Sequence, residues 1–422
     1  MKSNLTTLAA AVWLLVRLWL SEPAFAQTPG GILRMYHWDS PPSMSIHEEV
    51  TIATDVPMMG VFNNLVLFDQ HVARNSLQSI VPDLAISWSL SEDGMQLAFR
   101  LRHGVRWHDG QPFTARDVEC TWNLLLGRTA EKLRTNPRKS WYQNVESVSA
   151  EGDDIATFHL KRPQPVLLAL LASGLSPVYP CHVPAHQMRL RPIGTGPFKF
   201  VEFKPNEGIK VTRNPDYWKK DRPYLDGIEY TVIPNRSTAI LAFVSGKFDM
   251  TFPFQVTVPL MKDVKRQMAQ AICDLETTNV ARSVIINHTA APFDNPDIRR
   301  ATALALDRKA FIDILSEGED RIGGLMLPPP EGTWGLPPEI LNTLPGYGPD
   351  IEKNRTSARQ LMSALGYGPD TPLKVKVAAR NVQEFRDTSV ILMDQLKQVY
   401  IDGDLDLIET VNWFPRLARR AP

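Results

Sequence analysis

Several side chains in this sequence are of the types that perform acid–base or metal chemistry, but they lack the spacing of a complete catalytic site. His47 precedes Glu48 without the second histidine that a zinc-protease helix requires. His108 precedes Asp109, and no third group at a catalytic spacing accompanies this pair. We therefore expect His108 and Asp109 to serve the Asp-Gly turn at that position rather than a reaction.

A second group of residues has the chemistry to bind a metal ion. Cys181 adjoins His182, and His186 follows four residues later. Pro184 lies between the two histidines and opposes the regular helix that would present both on one face. The sequence favours a loop packed on the protein surface at this point, with no metal and no other cofactor.

Glycine-rich and nucleophile motifs are also incomplete. Gly194 and Gly196 lack the third glycine of a dinucleotide-binding loop. Gly246-Lys247 is followed by Phe248 rather than by serine or threonine, and no G-x-S-x-G occurs. Binding is therefore better supported than catalysis, and we do not expect an enzyme. A secreted hydrolase whose site forms only in three dimensions is the alternative from another class.

The rest of the sequence predicts an exported protein with two lobes, whose helices and strands must position these residues. Within residues 1–26, Lys2, an apolar stretch from Leu8 to Leu20 and Ala24-Phe25-Ala26 follow the order of a cleaved secretory signal peptide. The remaining length exceeds what one hydrophobic core usually serves, so two lobes are expected. The 46 basic and 46 acidic side chains balance, which argues against a nucleic-acid-binding protein.

The cysteines are three in number, Cys120, Cys181 and Cys273, so at least one is unpaired within the chain. Their spacings match no zinc motif. We expect buried free thiols, because unpaired cysteine is among the most buried residue types.

Alternating apolar residues predict a β-meander in the middle of the chain. Strands at Phe198–Phe203 and Ile209–Arg213 flank turn residues and predict a hairpin, and a third strand is predicted from Ile228 to Ile233. An earlier hairpin is predicted on either side of Asp93-Gly94. Thr114 and Asp117 then form a capping box for a helix.

The other elements alternate between helix and strand, which indicates an α/β fold. They are, in chain order, a strand at 31–37, a helix at 52–67 with Asn63 and Asn64 near its end, a helix at 239–245 capped by Ser237, a strand at 248–252, a buried strand at 283–287, two helices capped by Asn295 and Asp307, a helix between Asp350 and Gly366, a strand at 373–377, a helix at 384–400 and a last strand at 405–411 that leads to Trp413.

Four stretches carry a resemblance to a known family. They are G-T-G-P-F-K-F to P-Y-L-D-G-I (194–228), the stretch 82–122 with P-D-L-A-I-S-W and T-A-R-D-V, the stretch 292–315 that begins P-F-D-N-P-D-I-R-R-A, and the Gly-Tyr helix end at 355–367. In this order they resemble the solute-binding proteins of dipeptide, oligopeptide and nickel ABC importers, family 5. The resemblance runs from about residue 60 to the end of the sequence.

The resemblance implies a two-lobe α/β fold of the type II periplasmic-binding-protein class. It implies lobe one at 27–287, with an extra subdomain at about 65–190, and lobe two at 288–422. The implied function is a periplasmic receptor that captures a di- or oligopeptide and delivers it to the permease subunits of an ABC importer. A receptor for nickel or another small solute, and a non-functional truncated product, are the alternatives.

The resemblance also suggests where a ligand would bind. Ser43, Met44 and Ser45 occupy the loop after the first strand, which helps to line the cleft in this family. Arg380 follows a strand at the position where dipeptide-binding members have the arginine that binds the ligand carboxylate. Trp413 corresponds to a tryptophan that often lines the cleft. For a peptide ligand, physics requires such a cation, together with an acid for the amine.

The last residues depart from the family pattern. The resemblance implies a longer chain, since members of the family continue well beyond the position of Pro422, and in those members the aspartate that holds a peptide's amino group lies in that further part. We therefore expect lobe two to be incomplete in this sequence, with an exposed apolar sheet edge.

Overall fold

The computed structural model describes residues 29–72, 75–275, 280–325 and 335–419. The predicted signal peptide lies outside the described residues. The strands are β1 (Ile32–His37), β2 (Val66–Phe68), β3 (Ile80–Pro82), β4 (Ala85–Leu90), β5 (Gln96–Leu101), β6 (Val145–Glu151), β7 (Ile155–Leu160), β8 (Phe198–Lys204), β9 (Gly208–Arg213), β10 (Gly227–Val232), β11 (Leu373–Arg380) and β12 (Ile401–Ile408). The helices are α1 (Ile52–Met59), α2 (Ala115–Leu125), α3 (Leu167–Ala172), α4 (Arg236–Val244), α5 (Val258–Gln267), α6 (Pro296–Ala305), α7 (Arg308–Ser316), α8 (Pro338–Leu341), α9 (Ile351–Ala364), α10 (Gln383–Lys397) and α11 (Thr410–Ala418).

The predicted meander is present and forms most of a four-stranded sheet. Its order is β1-β10-β9-β8, with β1 parallel to β10 and the other neighbours antiparallel. The glycines that precede this meander are scaffold: a Cβ on Gly194 would lie 1.9 Å from the carbonyl oxygen of Val61. Close backbone packing, and not a phosphate, is therefore the reason for glycine at this position.

A second four-stranded sheet, in the order β4-β5-β7-β6, is antiparallel throughout and packs against α2. The Thr114–Asp117 capping box is formed as predicted. Trp122 and Leu125, on the predicted apolar face of α2, are fully buried. The hydrophobic cluster of this part runs from Leu65 to Val178.

The C-terminal part of the described chain is a β-α-β unit. Strands β11 and β12 are parallel neighbours, with Arg380 opposite Ile408. Helix α10 connects them and packs on both strands. A hydrophobic cluster that runs from Ile298 to Ile401 joins this unit to α6 and α9. A third cluster surrounds the β1 sheet and includes Val382 from the loop after β11.

Two predicted elements near the N-terminal half differ in extent. The helix predicted at 52–67 ends at Met59, and the apolar residues after it, such as Val61 and Phe62, enter the core from an irregular segment. The N-cap of helix α4 lies two residues earlier than predicted, because Asn235 and not Ser237 accepts the hydrogen bond from the N–H of Thr238, at 2.9 Å.

Three predicted strands were wrong or misplaced. At 248–252 Phe248 and Phe252 are buried, but the backbone makes only an isolated bridge between Met35 and Met250. Residues 283–287 are not a strand in the structure, and the side chains of Val284 and Ile285 are exposed. The last strand lies at 401–408 instead of 405–411, so Trp413 is on helix α11. Alternation marks which side chains are apolar, whereas a strand also needs a neighbouring backbone.

The expectation of free thiols was wrong for two of the three cysteines. Cys120 on α2 and Cys181 form a disulfide, with their Cα atoms 5.6 Å apart. Cys273 is a free, half-buried thiol. Among the described residues no helix has the length and apolar character needed to cross a membrane.

Candidate functional site

The loop after β1 and the C-terminal β-α-β unit meet at an ion pair between Asp39 and Arg380. These residues are 341 positions apart, and Arg380 Nη2 lies 3.3 Å from Asp39 Oδ2. Thr410 completes the contact, since its Oγ1 accepts from Arg380 Nη2 at 3.0 Å and its hydroxyl donates to the same Asp39 oxygen. The three side chains therefore form a closed hydrogen-bonded triangle across this junction.

Local structure explains why Arg380 and Thr410 come together. Arg380 is the last residue of β11, and Thr410 follows the end of β12 by two residues. Because β11 and β12 are parallel, their carboxyl ends meet at one edge of the pair, which is where ligands commonly bind in open α/β sheets. The N–H of Asn381 donates to the carbonyl oxygen of Ile408 at 2.8 Å and extends the pairing beyond the strands.

Aromatic rings surround the guanidinium group of Arg380. Its Cζ lies 5.0 Å from the ring centre of Phe385, 5.7 Å from that of Trp38 and 6.0 Å from that of Phe414. Rings at these distances attract a cation and exclude water from it. The arginine side chain is only 8% exposed, against 18% for Asp39.

Burial dominates the electrostatics of this pair. It raises the pKa of Asp39, although Thr410 and Arg380 both favour the ionised carboxylate. It also lowers the pKa of Arg380 from its usual range, with Asp39 acting in the opposite direction. Both shifts arise because each charge is removed from water; Thr410 and then Arg380 offset part of this cost for Asp39, and Asp39 offsets part of it for Arg380.

Trp38 adds an unused hydrogen-bond donor beside the arginine. Trp38 is 4% exposed, and no partner for its Nε1 exists among the residues that the structure describes. A buried donor without a partner costs about 1–3 kcal/mol. An acceptor atom of a bound molecule would remove that cost.

A match to a family model covers residues 79–419, with the description "Bacterial extracellular solute-binding proteins, family 5 Middle". The chain belongs to this family. The match covers most of the sequence, so the resemblance stated from the motifs is confirmed.

Curated relatives and solved structures agree with this assignment. Heme-binding protein A of Haemophilus influenzae is 29% identical over 366 residues, covering 80% of this chain and 63% of that protein. Oligopeptide-binding protein AppA of Bacillus subtilis is 28% identical over 353 residues, covering 77% and 61%. The chain thus spans about three fifths of the length of these relatives.

The structure of DppA from Helicobacter pylori in complex with the peptide STSA matches with a TM-score of 0.78 at 23% identity, covering 92% of this chain and 76% of that one. AppA from Bacillus subtilis in complex with a nonapeptide matches with a TM-score of 0.77 at 24% identity, covering 93% and 77%. These structural matches confirm the predicted α/β periplasmic-binding-protein fold class.

In this member of family 5, the predicted loop residues 43–45 are directed into the protein. Ser43 donates to Glu49 Oε1 at 2.6 Å, Met44 is fully buried, and the hydroxyl of Ser45 lies 3.3 Å from that of Tyr179. All three side chains thus have internal surroundings in the described structure. Their contact with a ligand stays a prediction.

A buried network of charges holds this loop in place. Arg189 binds Glu48 through two hydrogen bonds of 2.7 and 2.8 Å. His47 Nε2 lies 2.9 Å from the carbonyl oxygen of Pro177, and burial, aided by Arg138, lowers the pKa of His47 to about 3. Asp55 on α1 is nearly inaccessible to solvent, and burial raises its pKa to about 7.

Trp413 is half-buried on α11 and immediately precedes Phe414. Its role in the cleft therefore stays a prediction, whereas Phe414 lies beside Arg380. Sequence reasoning missed Asp39, Phe385, Thr410 and Phe414. The signal for Thr410 was present in the parallel pairing of β11 with β12; Asp39 is brought to Arg380 only by the long-range fold.

The residues with incomplete chemical motifs have structural partners. His108 accepts at Nδ1 from the N–H of Gly194 at 3.2 Å and lies 3.0 Å through Nε2 from the carbonyl oxygen of Gly196. His182 and His186 bind different carboxylates, those of Asp109 and Glu131. Within the described ranges no three His, Cys, Asp or Glu side chains are grouped as a metal site requires.

Proposed function

We propose that this chain is an exported solute receptor that captures a di- or oligopeptide between two lobes and delivers it to an ABC importer. Lobe one would comprise residues 27–287, with the subdomain at about 65–190, and lobe two residues 288–422. The observation that carries the proposal is the buried Arg380 at the junction between the β1 loop and the β11–β12 unit. Membership in family 5 supports the same function.

Arg380 has the properties of a carboxylate-binding residue. Its guanidinium group can form two parallel hydrogen bonds to a carboxylate, and such charge-assisted bonds are about twice as strong as neutral ones. The surrounding rings of Trp38, Phe385 and Phe414 reduce the competition from water. The unpartnered Nε1 of Trp38 supplies a further donor for a peptide oxygen.

The ligand classes for which related proteins are named support a peptide as the ligand. AppA of Bacillus subtilis is described as oligopeptide-binding, and a further relative, 28% identical over 328 residues, is di/tripeptide-binding protein 2 of Pseudomonas aeruginosa. We propose that residues 1–26 direct export, that the permease subunits of an importer are the partner, and that the ligand is released chemically unchanged.

Thermal unfolding of the purified protein with a pool of di- and oligopeptides tests this proposal. A ligand at about one hundred times its dissociation constant stabilises the folded state by about 2.7 kcal/mol. We expect the melting temperature to rise with the pool, and Arg380→Gln to lose most of that rise. Arg34→Gln is the matched control, because Arg34 forms an ion pair with Asp249 away from the junction.

Three results would contradict the proposal. The first is a melt that no peptide shifts, and the second is a shift of the same size in Arg380→Gln. The third is recovery of cleaved peptides, which would indicate a hydrolase.

A further inference from the structure

Asp39 occupies the position at Arg380 that a bound carboxylate would take. Its Oδ2 atom receives hydrogen bonds from both Arg380 and Thr410, and Thr410 in turn accepts a hydrogen bond from Arg380. Arg380 is therefore not an open cation in the described structure. An approaching anion meets a nearly buried pair whose formal charges cancel.

We infer that Asp39 is a specificity-determining residue: it competes for Arg380 and restricts binding to solutes that bring both a carboxylate and a cationic amine. This inference rests on the proposed function, in which Arg380 binds the carboxylate of the solute. The carboxylate of the solute replaces Asp39 on Arg380, and the ammonium group of the solute becomes the new partner of Asp39.

Charge balance is the physical reason for this requirement. A solute with only a carboxylate would separate Asp39 from Arg380 and leave the Asp39 carboxylate poorly solvated without a cation. Removal of one partner from a buried ion pair is strongly destabilising, because the remaining charge is uncompensated. A solute with both charges keeps each buried group paired, so it escapes this penalty.

The contacts around Asp39 oppose a movement of its side chain away from Arg380 when no solute is bound. Thr410, which also binds Asp39, is 5% exposed and begins helix α11, so it is held by the fold. The rings of Phe385 and Trp38 also lie within 6 Å of the guanidinium carbon, at 5.0 and 5.7 Å. Asp39 itself lies just beyond β1, with its N–H 3.4 Å from Nδ1 of the buried His37. The pair thus connects two well-packed elements.

Binding of three forms of one dipeptide tests the inference. Isothermal titration would compare alanyl-alanine with its N-acetylated form, which lacks the ammonium group, and its C-amidated form, which lacks the carboxylate. In the unmodified protein we expect alanyl-alanine to bind at least about tenfold more tightly than either, since one lost charge pair of this kind corresponds to a factor of ten or more.

The variant Asp39→Asn keeps the shape of the side chain and removes its charge. We expect the preference for alanyl-alanine over the N-acetylated form to fall by about tenfold, mainly because the N-acetylated form binds more tightly. Asp387→Asn is the matched control, because Asp387 lies 3.6 Å from Arg236 in a different ion pair between α10 and α4. It should retain the original preference. An unchanged preference in Asp39→Asn, or equal weakening of all three forms, would overturn the inference.

A measurement that does not depend on peptide binding separates this inference from the choice of peptides as ligands. If no form of the dipeptide binds any variant, the proposal of a dipeptide ligand fails, and acetate becomes the probe. Melting temperatures in sodium acetate and in sodium chloride of equal concentration would then be compared. A larger rise with acetate in Asp39→Asn than in the unmodified protein and Asp387→Asn supports the competition at Arg380. Equal rises in all three overturn it.

Discussion

Replacement of Asp55 by asparagine should make the protein more stable at neutral and alkaline pH. Asp55 is 5% exposed, its Oδ1 has no hydrogen-bond partner among the described residues, and Arg138 is 3.9 Å away. Arg138 donates instead to the carbonyl oxygen of Ile46, at 2.7 Å. At this distance and without a hydrogen bond, the guanidinium group offsets only part of the cost of burying a carboxylate.

The magnitude follows from the pKa of Asp55. Burial raises this pKa from an ordinary 3.8 to about 7. The folded protein therefore binds the proton more tightly than the unfolded chain. The neutral carboxyl group stabilises the folded state fully below pH 3.8, and this contribution is lost as the pH rises through about 7. A difference of about three pKa units corresponds to about 4 kcal/mol.

Urea unfolding at a series of pH values would measure this effect. The free energy of unfolding of Asp55→Asn should be close to that of the unmodified protein near pH 4 and exceed it by up to about 4 kcal/mol above pH 7. Asp313→Asn is the control, because Asp313 is an exposed residue on α7 that pairs with Lys309. Its profile should follow that of the unmodified protein. A difference between Asp55→Asn and the unmodified protein that stays constant with pH, or that favours the unmodified protein at high pH, would refute this reasoning and assign an ionised carboxylate to the pair with Arg138.

Two further predictions concern stability. Thr114→Ala removes one half of the capping box of α2, so we expect a loss of about 1 kcal/mol in the free energy of unfolding, measured with urea; an effect below the error of that measurement would contradict a capping role. Reduction of the Cys120–Cys181 disulfide, which closes a loop with a sequence separation of 61, should lower the stability by about 2–4 kcal/mol in the same assay. The Cys120→Ser/Cys181→Ser double variant should not respond to reductant, and an equal response in that variant would show that the disulfide is not the cause.

Local sequence signals predicted elements whose stabilising contacts are close in the chain. The β8–β9 hairpin, the capping box of α2 and the N-caps at Asn295 and Asp307 all formed as expected. In each case the residues that determine the structure are within a few positions of one another. The four motif stretches between residues 82 and 367 also predicted the family correctly, because their order along the chain is specific.

The failed strand predictions have a common cause. The alternation at 248–252 and the apolar run at 283–287 are typical of strands, but a strand also requires a second backbone at hydrogen-bonding distance. Phe248 and Phe252 satisfy their hydrophobic pattern by packing on the cluster around the β1 sheet without a ladder. Likewise, cysteine spacing alone did not predict the disulfide, since the proximity of Cys120 to Cys181 arises from the packing of α2 against a distant loop.

The candidate site also depends on a long-range contact that local sequence patterns did not predict. The sequence resemblance singled out Arg380, but it did not indicate that the arginine has an internal partner. That partner, Asp39, is supplied by the loop after the first strand of the fold, while Thr410 is supplied by the helix that follows the last strand. A cation alone would favour any carboxylate, whereas a cation already paired with an acid favours a solute that can satisfy both. Under the proposed function, recognition of the solute would be a property of the Asp39–Arg380 pair, and the topology that brings the two residues together is what creates that pair.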